Sequence, residues 1–109
     1  MLVETSWLFL VLAGLFEIGW PLGLKMAQEP ATRGWGIAVA VFFLAISGTL
    51  LWLAQRGIAI GTAYAVWSGI GAAGTFLIGV LVYGDPTSLA RYVGVALIVG
   101  GVVTLKLAH

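Results

Sequence analysis

The fold is decided by an apolar stretch near the start of the chain, residues 6–24, which reads SWLFLVLAGLFEIGWPLGL. Lys25 closes this stretch, and Glu17 is the only charged residue inside it. A run of this length can cross the hydrocarbon core of a bilayer as one helix. An ionisable side chain within such a run marks a candidate functional site. Trp20 lies one turn beyond Glu17 on the same face of the predicted helix.

Three further spans follow along the chain. Two are uncharged runs, at residues 34–54 and 57–84, and each is long enough to cross a membrane. Asp85 and Pro86 then supply an expected N-cap and first helical residue for a fourth helix. We predict an all-α membrane protein in which residues 1–109 form one transmembrane domain. Its four helices are expected at roughly residues 5–25, 33–54, 58–83 and 86–107.

The composition excludes several classes of protein. Of 109 residues, 61% are hydrophobic and 8% charged, with a mean hydropathy of +1.12, which is typical of a protein surrounded by lipid. A net charge of +1 predicts no nucleic-acid partner. There is no cysteine, and the only histidine, His109, is the last residue. No metal site, cofactor or nucleophile–base pair is therefore expected, and an enzyme is not predicted.

The basic residues are shared almost evenly between the two sides of the membrane. Four spans put both termini on one side, together with Arg56 and Lys106. Lys25, Arg33 and Arg91 belong to the other side. Basic residues in short loops normally fix the orientation of a membrane protein. A bias this weak predicts that the chain inserts both ways.

Dual insertion provides a second half for a transport site. Transporters commonly place two inverted halves around a site at the bilayer midplane. The chain shows no internal repeat, and Glu17 is its only acidic residue within a span. We therefore predict an antiparallel, dual-topology homodimer in which two Glu17 carboxylates face one cavity.

The fourth span offers a candidate dimer interface, because small residues let helices approach closely in lipid. Five residues recur at the spacing of one helix side and form a ridge along it: Gly94, Leu97, Ile98, Gly101 and Val102. The alternative interpretation is that this ridge packs within the subunit.

The third span carries a second cluster, residues 61–71, which reads GTAYAVWSGIG. Tyr64 and Trp67 share a helix face and are candidates to line the site, although Tyr64 also suits an interfacial aromatic belt. Gly69 and Gly71 predict a hinge just beyond these rings, with plain packing as the alternative.

Two residues on the first two spans complete the set. Ser47 is a polar side chain at depth on the second span, where a bond to its own helix backbone is the alternative to a functional role. Pro21 has no amide hydrogen to donate to the Glu17 carbonyl four residues earlier. It should loosen the first helix beside the site.

Four motifs together show a family resemblance. They are Glu17-x-x-Trp20 followed by Gly23-Leu24-Lys25; Thr32-Arg33; Gly61-Thr62-Ala63-Tyr64-Ala65-Val66-Trp67; and Gly94-x-x-Leu97-Ile98-x-x-Gly101-Val102. Over its whole length the chain resembles the small multidrug resistance family, specifically the guanidinium exporter subtype. The resemblance implies an antiparallel dimer in the bacterial inner membrane that exchanges protons for a small cation. Tryptophan at Trp20 favours guanidinium exporters over quaternary ammonium exporters, which tend to have a small residue there.

The resemblance also implies roles for individual residues. Glu17 matches the carboxylate that binds proton and substrate. Trp20 and Ser47 match residues that steady its side chain by hydrogen bonding. Tyr64 and Trp67 match the aromatic residues that line the pocket.

The chain departs from the family pattern at two positions. Ala59 stands where a proline is usual before the third span, which bears on the rigidity of that loop. Ser68 stands where the exporter subtype more often has threonine, which slightly weakens the match to that subtype.

A chemical reason supports guanidinium as the cargo. Guanidinium is planar and presents paired N–H donors that match a carboxylate. Protons would compete with it for Glu17, so the prediction is a proton-coupled guanidinium antiporter. Its expected partners are a small guanidinyl cation, protons, an inverted second copy and membrane lipid. Two alternatives stay open: a quaternary ammonium multidrug antiporter, and a non-transporting subunit of an unlike pair.

Overall fold

The computed structural model of the protein describes residues 2–108, which form five α-helices. They are α1 (Leu2–Glu17), α2 (Gly19–Met26), α3 (Arg33–Ala54), α4 (Ile60–Tyr83) and α5 (Leu89–Ala108), with a 3-10 turn at Pro30–Thr32. Met1 and His109, the ends of the predicted domain, lie outside the described residues.

Four helical segments in this part of the chain are long and apolar enough to cross a membrane. The first combines α1 and α2, and the other three correspond to α3, α4 and α5. Their bounds are Val3–Met26, Pro30–Ala54, Ile60–Tyr83 and Leu89–Ala108. The prediction of an all-α protein with four membrane-length helices is confirmed.

The first span is interrupted directly after Glu17. The amide of Ile18 donates to the carbonyl of Leu15, three residues back, at 3.3 Å. α2 then begins at the next residue and continues in the same span. Pro21 explains the weak point, because it has no N–H for the Glu17 carbonyl. The expected loosening therefore coincides with the end of α1.

α5 begins three residues later than the sequence indicates. Gly84, with φ 68°, ends α4 in the left-handed conformation, and Asp85 and Pro86 follow it in an irregular segment. The Oγ of Ser88 accepts the amide of Arg91 at 3.2 Å and caps the new helix. The predicted cap at Asp85 is wrong, because that residue still belongs to the turn that terminates α4.

The loop between the first two spans is held by the Thr32-Arg33 motif. The Thr32 hydroxyl donates to the carbonyl of Met26 at 2.8 Å, and Arg33 Nε donates to the carbonyl of Ala27 at 3.1 Å. The last carbonyls of a helix have no partners inside it. The motif therefore closes the C-terminal end of α2.

The helices pack into a flat body. α1 lies against α3 and α4, α2 against α3, and α5 mainly against α4. The Cα atoms extend over 46 × 34 × 17 Å. Two helices packed with their axes about 8–10 Å apart span about 13–15 Å between their outermost Cα atoms, so the body is about two helices thick in its shortest direction. The buried cluster at one end consists of Trp7, Leu10, Ala54, Ile58, Ala63 and Val66.

Candidate functional site

Glu17 is the last residue of α1, and its side chain is half-buried. The indole N–H of Trp20, on the first turn of α2, donates to Glu17 Oε1. The structure therefore brings these two predicted site residues together. The bond occupies one carboxylate oxygen and leaves Oε2 for a further partner.

Gly71 on α4 lies directly against the Glu17 side chain. A Cβ added at Gly71 would overlap Glu17 Cγ and would lie 3.1 Å from Glu17 Cβ. Gly69 has another neighbour, since a Cβ there would lie 2.6 Å from Cγ2 of Val102. α4 runs unbroken through both glycines. The structure shows close packing at these positions, and a hinge there stays a prediction.

A cavity of about 420 Å³ opens beside Glu17, between the first span and α4. Its walls combine polar side chains, small residues and one aromatic ring. The residues that line it with Glu17 are Pro21, Ser68, Gly71, Ala72, Thr75, Phe76 and Asp85.

Ser47 is fully buried but does not hold the Glu17 side chain. Its hydroxyl donates to the carbonyl of Ala13 at 2.7 Å and accepts the indole N–H of Trp67 at 2.8 Å. The predicted bond from Ser47 to the carboxyl group is therefore wrong, because the hydroxyl is directed at α1 backbone one turn earlier. Since Ala13 is four residues before Glu17, this bond fixes the turn of α1 that carries the site.

Tyr64 and Trp67 contact each other, with ring centroids 5.4 Å apart. Tyr64 is 58% exposed, and neither ring lines the cavity of this chain. The indole of Trp67 is instead part of the hydrogen-bonded link from α4 through Ser47 to α1. The predicted aromatic lining is therefore not formed by residues of one chain alone.

The ridge on α5 divides into two faces. Ile98 and Val102 lie against Gly69 within the subunit, as the alternative interpretation holds. Leu97 is 72% exposed, and a Cβ on Gly94 or Gly101 would meet no atom within 4 Å. We call Gly94, Leu97 and Gly101 the outer face of α5. This face makes no close contact within the subunit and is available to another chain, and Ile98 itself remains 40% exposed.

The sequence interpretation missed Asp85, Thr75 and Phe76 as cavity residues. Because Asp85 was predicted to cap the fourth helix, it was not predicted to line the cavity. The available signal was the spacing of residues on α4, because Gly71, Thr75 and Gly79 recur every four residues and so share one face. That face leads from Glu17 towards Asp85.

These features define a multi-pass membrane protein with one intramembrane carboxylate beside a cavity. The sequence model described as Small Multidrug Resistance protein matches residues 5–98. Three similar proteins are named guanidinium exporter. That of Proteus vulgaris is 41% identical over 103 residues, which cover 94% of this chain and 98% of the relative. That of Yersinia pestis is 42% identical with the same coverage, and that of Salmonella typhimurium is 41% identical over 94% of this chain and 97% of the relative.

The chain belongs to the Small Multidrug Resistance family. The resemblance drawn from its motifs is confirmed, and these relatives bear the name of the predicted subtype. Family membership and four membrane-length helices make it a multi-pass protein of the bacterial inner membrane.

Proposed function

We propose that this protein is a proton-coupled antiporter that exports guanidinium, or a closely related small guanidinyl cation. The observation that carries the proposal is the Glu17 carboxylate, which is held by Trp20 and lines a cavity of about 420 Å³. The name guanidinium exporter, borne by relatives at 41–42% identity, supports the choice of cargo.

The polar groups of the cavity suit a planar donor of hydrogen bonds. Guanidinium has only N–H donors, and a carboxylate has only acceptors. Ser68 donates its own hydrogen to the carbonyl of Tyr64 at 2.8 Å, so its oxygen presents lone pairs. Phe76 supplies an aromatic wall, and a cation within about 6 Å of such a ring is attracted to it. The cavity can thus accept the cation by hydrogen bonds and by ring contact.

Proton coupling follows from competition for one group. A Glu17 that carries a proton has no charge to attract the cation, and a Glu17 that binds the cation has no place for the proton. If the cavity exchanges sides only when a ligand is bound, a proton entering must be matched by a cation leaving. Such coupling needs no nucleotide and no second site.

A second, inverted copy completes the site. The Cα atoms span only 17 Å in the shortest direction, and the cavity is lined by α1, α2, α4 and the loop before α5. The outer face of α5 offers small residues for close helix contact. Basic residues number two on one side of the membrane and three on the other, which favours neither orientation. The partner would bring the second Glu17 and the aromatic rings that one chain does not place in its own cavity.

The test uses the purified chain in liposomes with a proton gradient. Wild-type protein should move guanidinium against the proton flux, and Glu17→Gln should abolish both fluxes because the amide cannot exchange a proton. Glu29→Gln is the control, since it removes an exposed charge from the loop between the first two spans. Guanidinium-dependent proton flux that survives in Glu17→Gln would refute the mechanism.

The alternatives give different results in the same liposomes. Preferred transport of tetraethylammonium over guanidinium would identify a quaternary ammonium exporter. Activity only after addition of a second, unlike family member would identify a subunit of an unlike pair. A reporter fused at the C-terminus and found on one side of the membrane only would rule out dual insertion.

A further inference from the structure

The Glu17 cavity has an acidic residue at each end. Asp85, in the loop between α4 and α5, lines the same cavity as Glu17 and also an adjoining one of about 150 Å³. A Cβ on Gly79 would overlap Asp85 Oδ2, as a Cβ on Gly71 would overlap the Glu17 side chain. Gly71 and Gly79 are eight positions apart on α4, so the two contacts lie about 12 Å apart along the helix.

The wall between the two carboxylates carries one hydroxyl group, that of Thr75. Thr75 lies one turn from Gly71 and one turn from Gly79, and it lines both cavities. Pro21 lines both cavities from the opposite side. A small cation that leaves Asp85 would therefore pass a hydroxyl acceptor before it reaches Glu17.

The backbone of Asp85 is held at the end of α4, and no neighbouring cation pairs with its carboxylate in the described part of the chain. Its backbone amide donates to the Gly79 carbonyl at 3.0 Å. Lys25 lines the adjoining cavity, with Nζ 5.6 Å from the Tyr83 ring centroid. Arg91 Nη1 donates to the Pro86 carbonyl at 3.0 Å. Within residues 2–108, neither cation forms a salt bridge with Asp85.

We propose that Asp85 is a capture residue for guanidinium at the entrance to the Glu17 cavity, a role that rests on the proposed function. Its carboxylate accepts the N–H groups of the arriving cation and offsets the repulsion of Lys25. The cation then moves inward to Glu17. In an inverted dimer the two Asp85 residues lie at opposite faces of the membrane, so each entrance has one.

The test is guanidinium transport by Asp85→Asn in liposomes. Asparagine keeps the shape beside Gly79 but removes the charge. We expect KM for guanidinium to rise about three- to tenfold, while kcat changes less than about twofold, because the residue acts on capture. The rise should shrink at high salt, where the screening length falls from about 10 Å at 0.1 M to about 3 Å at 1 M.

Two further variants separate the effect of the Asp85 charge from that of its position. Glu29→Gln removes an equal charge from the other loop on the same side of the membrane, outside the cavity, and should leave KM unchanged. Gly79→Ala keeps the charge but displaces the Asp85 carboxylate, and should raise KM as Asp85→Asn does. Thermal unfolding of each variant in detergent identifies any loss of fold.

The outcomes separate this inference from the proposed function. If wild-type protein transports no guanidinium, both fail. If wild-type protein transports it and Asp85→Asn matches Glu29→Gln in KM and salt dependence, the capture role is overturned and the proposed function stands. A fall in kcat at constant KM also overturns the capture role, because it places Asp85 in the exchange between the two sides.

Discussion

Substitution of Gly71 by alanine tests how closely α4 approaches the site. Alanine in a helix interior is favoured over glycine by about 0.5–1 kcal/mol. At Gly71, however, the new Cβ would overlap Cγ of the Glu17 side chain. Forcing extra volume into a packed structure costs about 1–3 kcal/mol, which outweighs the gain in helix propensity. We expect a net destabilisation of about 1–2 kcal/mol. A displaced Glu17 would also lose the bond from Trp20.

The measurements are SDS-induced unfolding and guanidinium KM in liposomes. If the same 1–2 kcal/mol is lost from cation binding, KM should rise about 5- to 30-fold. Gly48→Ala is the matched control, because it makes the same change inside α3 where a Cβ meets no atom within 4 Å. It should stabilise the fold by about 0.5–1 kcal/mol and leave KM unchanged. Equal behaviour of the two variants would refute the contact between Gly71 and Glu17.

Two further substitutions test the surroundings of the site. Ser47→Ala removes hydrogen bonds to Ala13 and Trp67, each worth about 0.6–1.7 kcal/mol in a membrane, so SDS unfolding should show a loss of about 1–3 kcal/mol. A loss below about 0.3 kcal/mol would contradict this link. Ala59→Pro should raise stability by about 0.4–1 kcal/mol in thermal unfolding, because φ at Ala59 is −56°, within the range of proline. Destabilisation there would show that proline is not accommodated before α4.

Local features of this protein were predictable from its sequence. Hydropathy over about 20 residues identified the four spans, because a bilayer sets their length. The pairing of Glu17 with Trp20 follows from their spacing of three residues, and it persists although the span is interrupted between them. The interruption after Glu17 follows from the missing amide of Pro21.

Contacts between helices were not predictable in the same way. In lipid, outward and inward helix faces are both apolar, so hydropathy does not tell which face packs. The α5 ridge was therefore assigned as a whole, although Ile98 and Val102 lie against Gly69 within the subunit. Ser47 finds its acceptor on Ala13, 34 residues away, which no local pattern indicates.

The pairing of two Glu17 carboxylates around one cation is the central claim, and binding stoichiometry tests it directly. Isothermal titration of purified protein with guanidinium should give one bound cation for every two chains, with no binding to Glu17→Gln. One cation bound for every chain would contradict the shared site, because each Glu17 would then act alone.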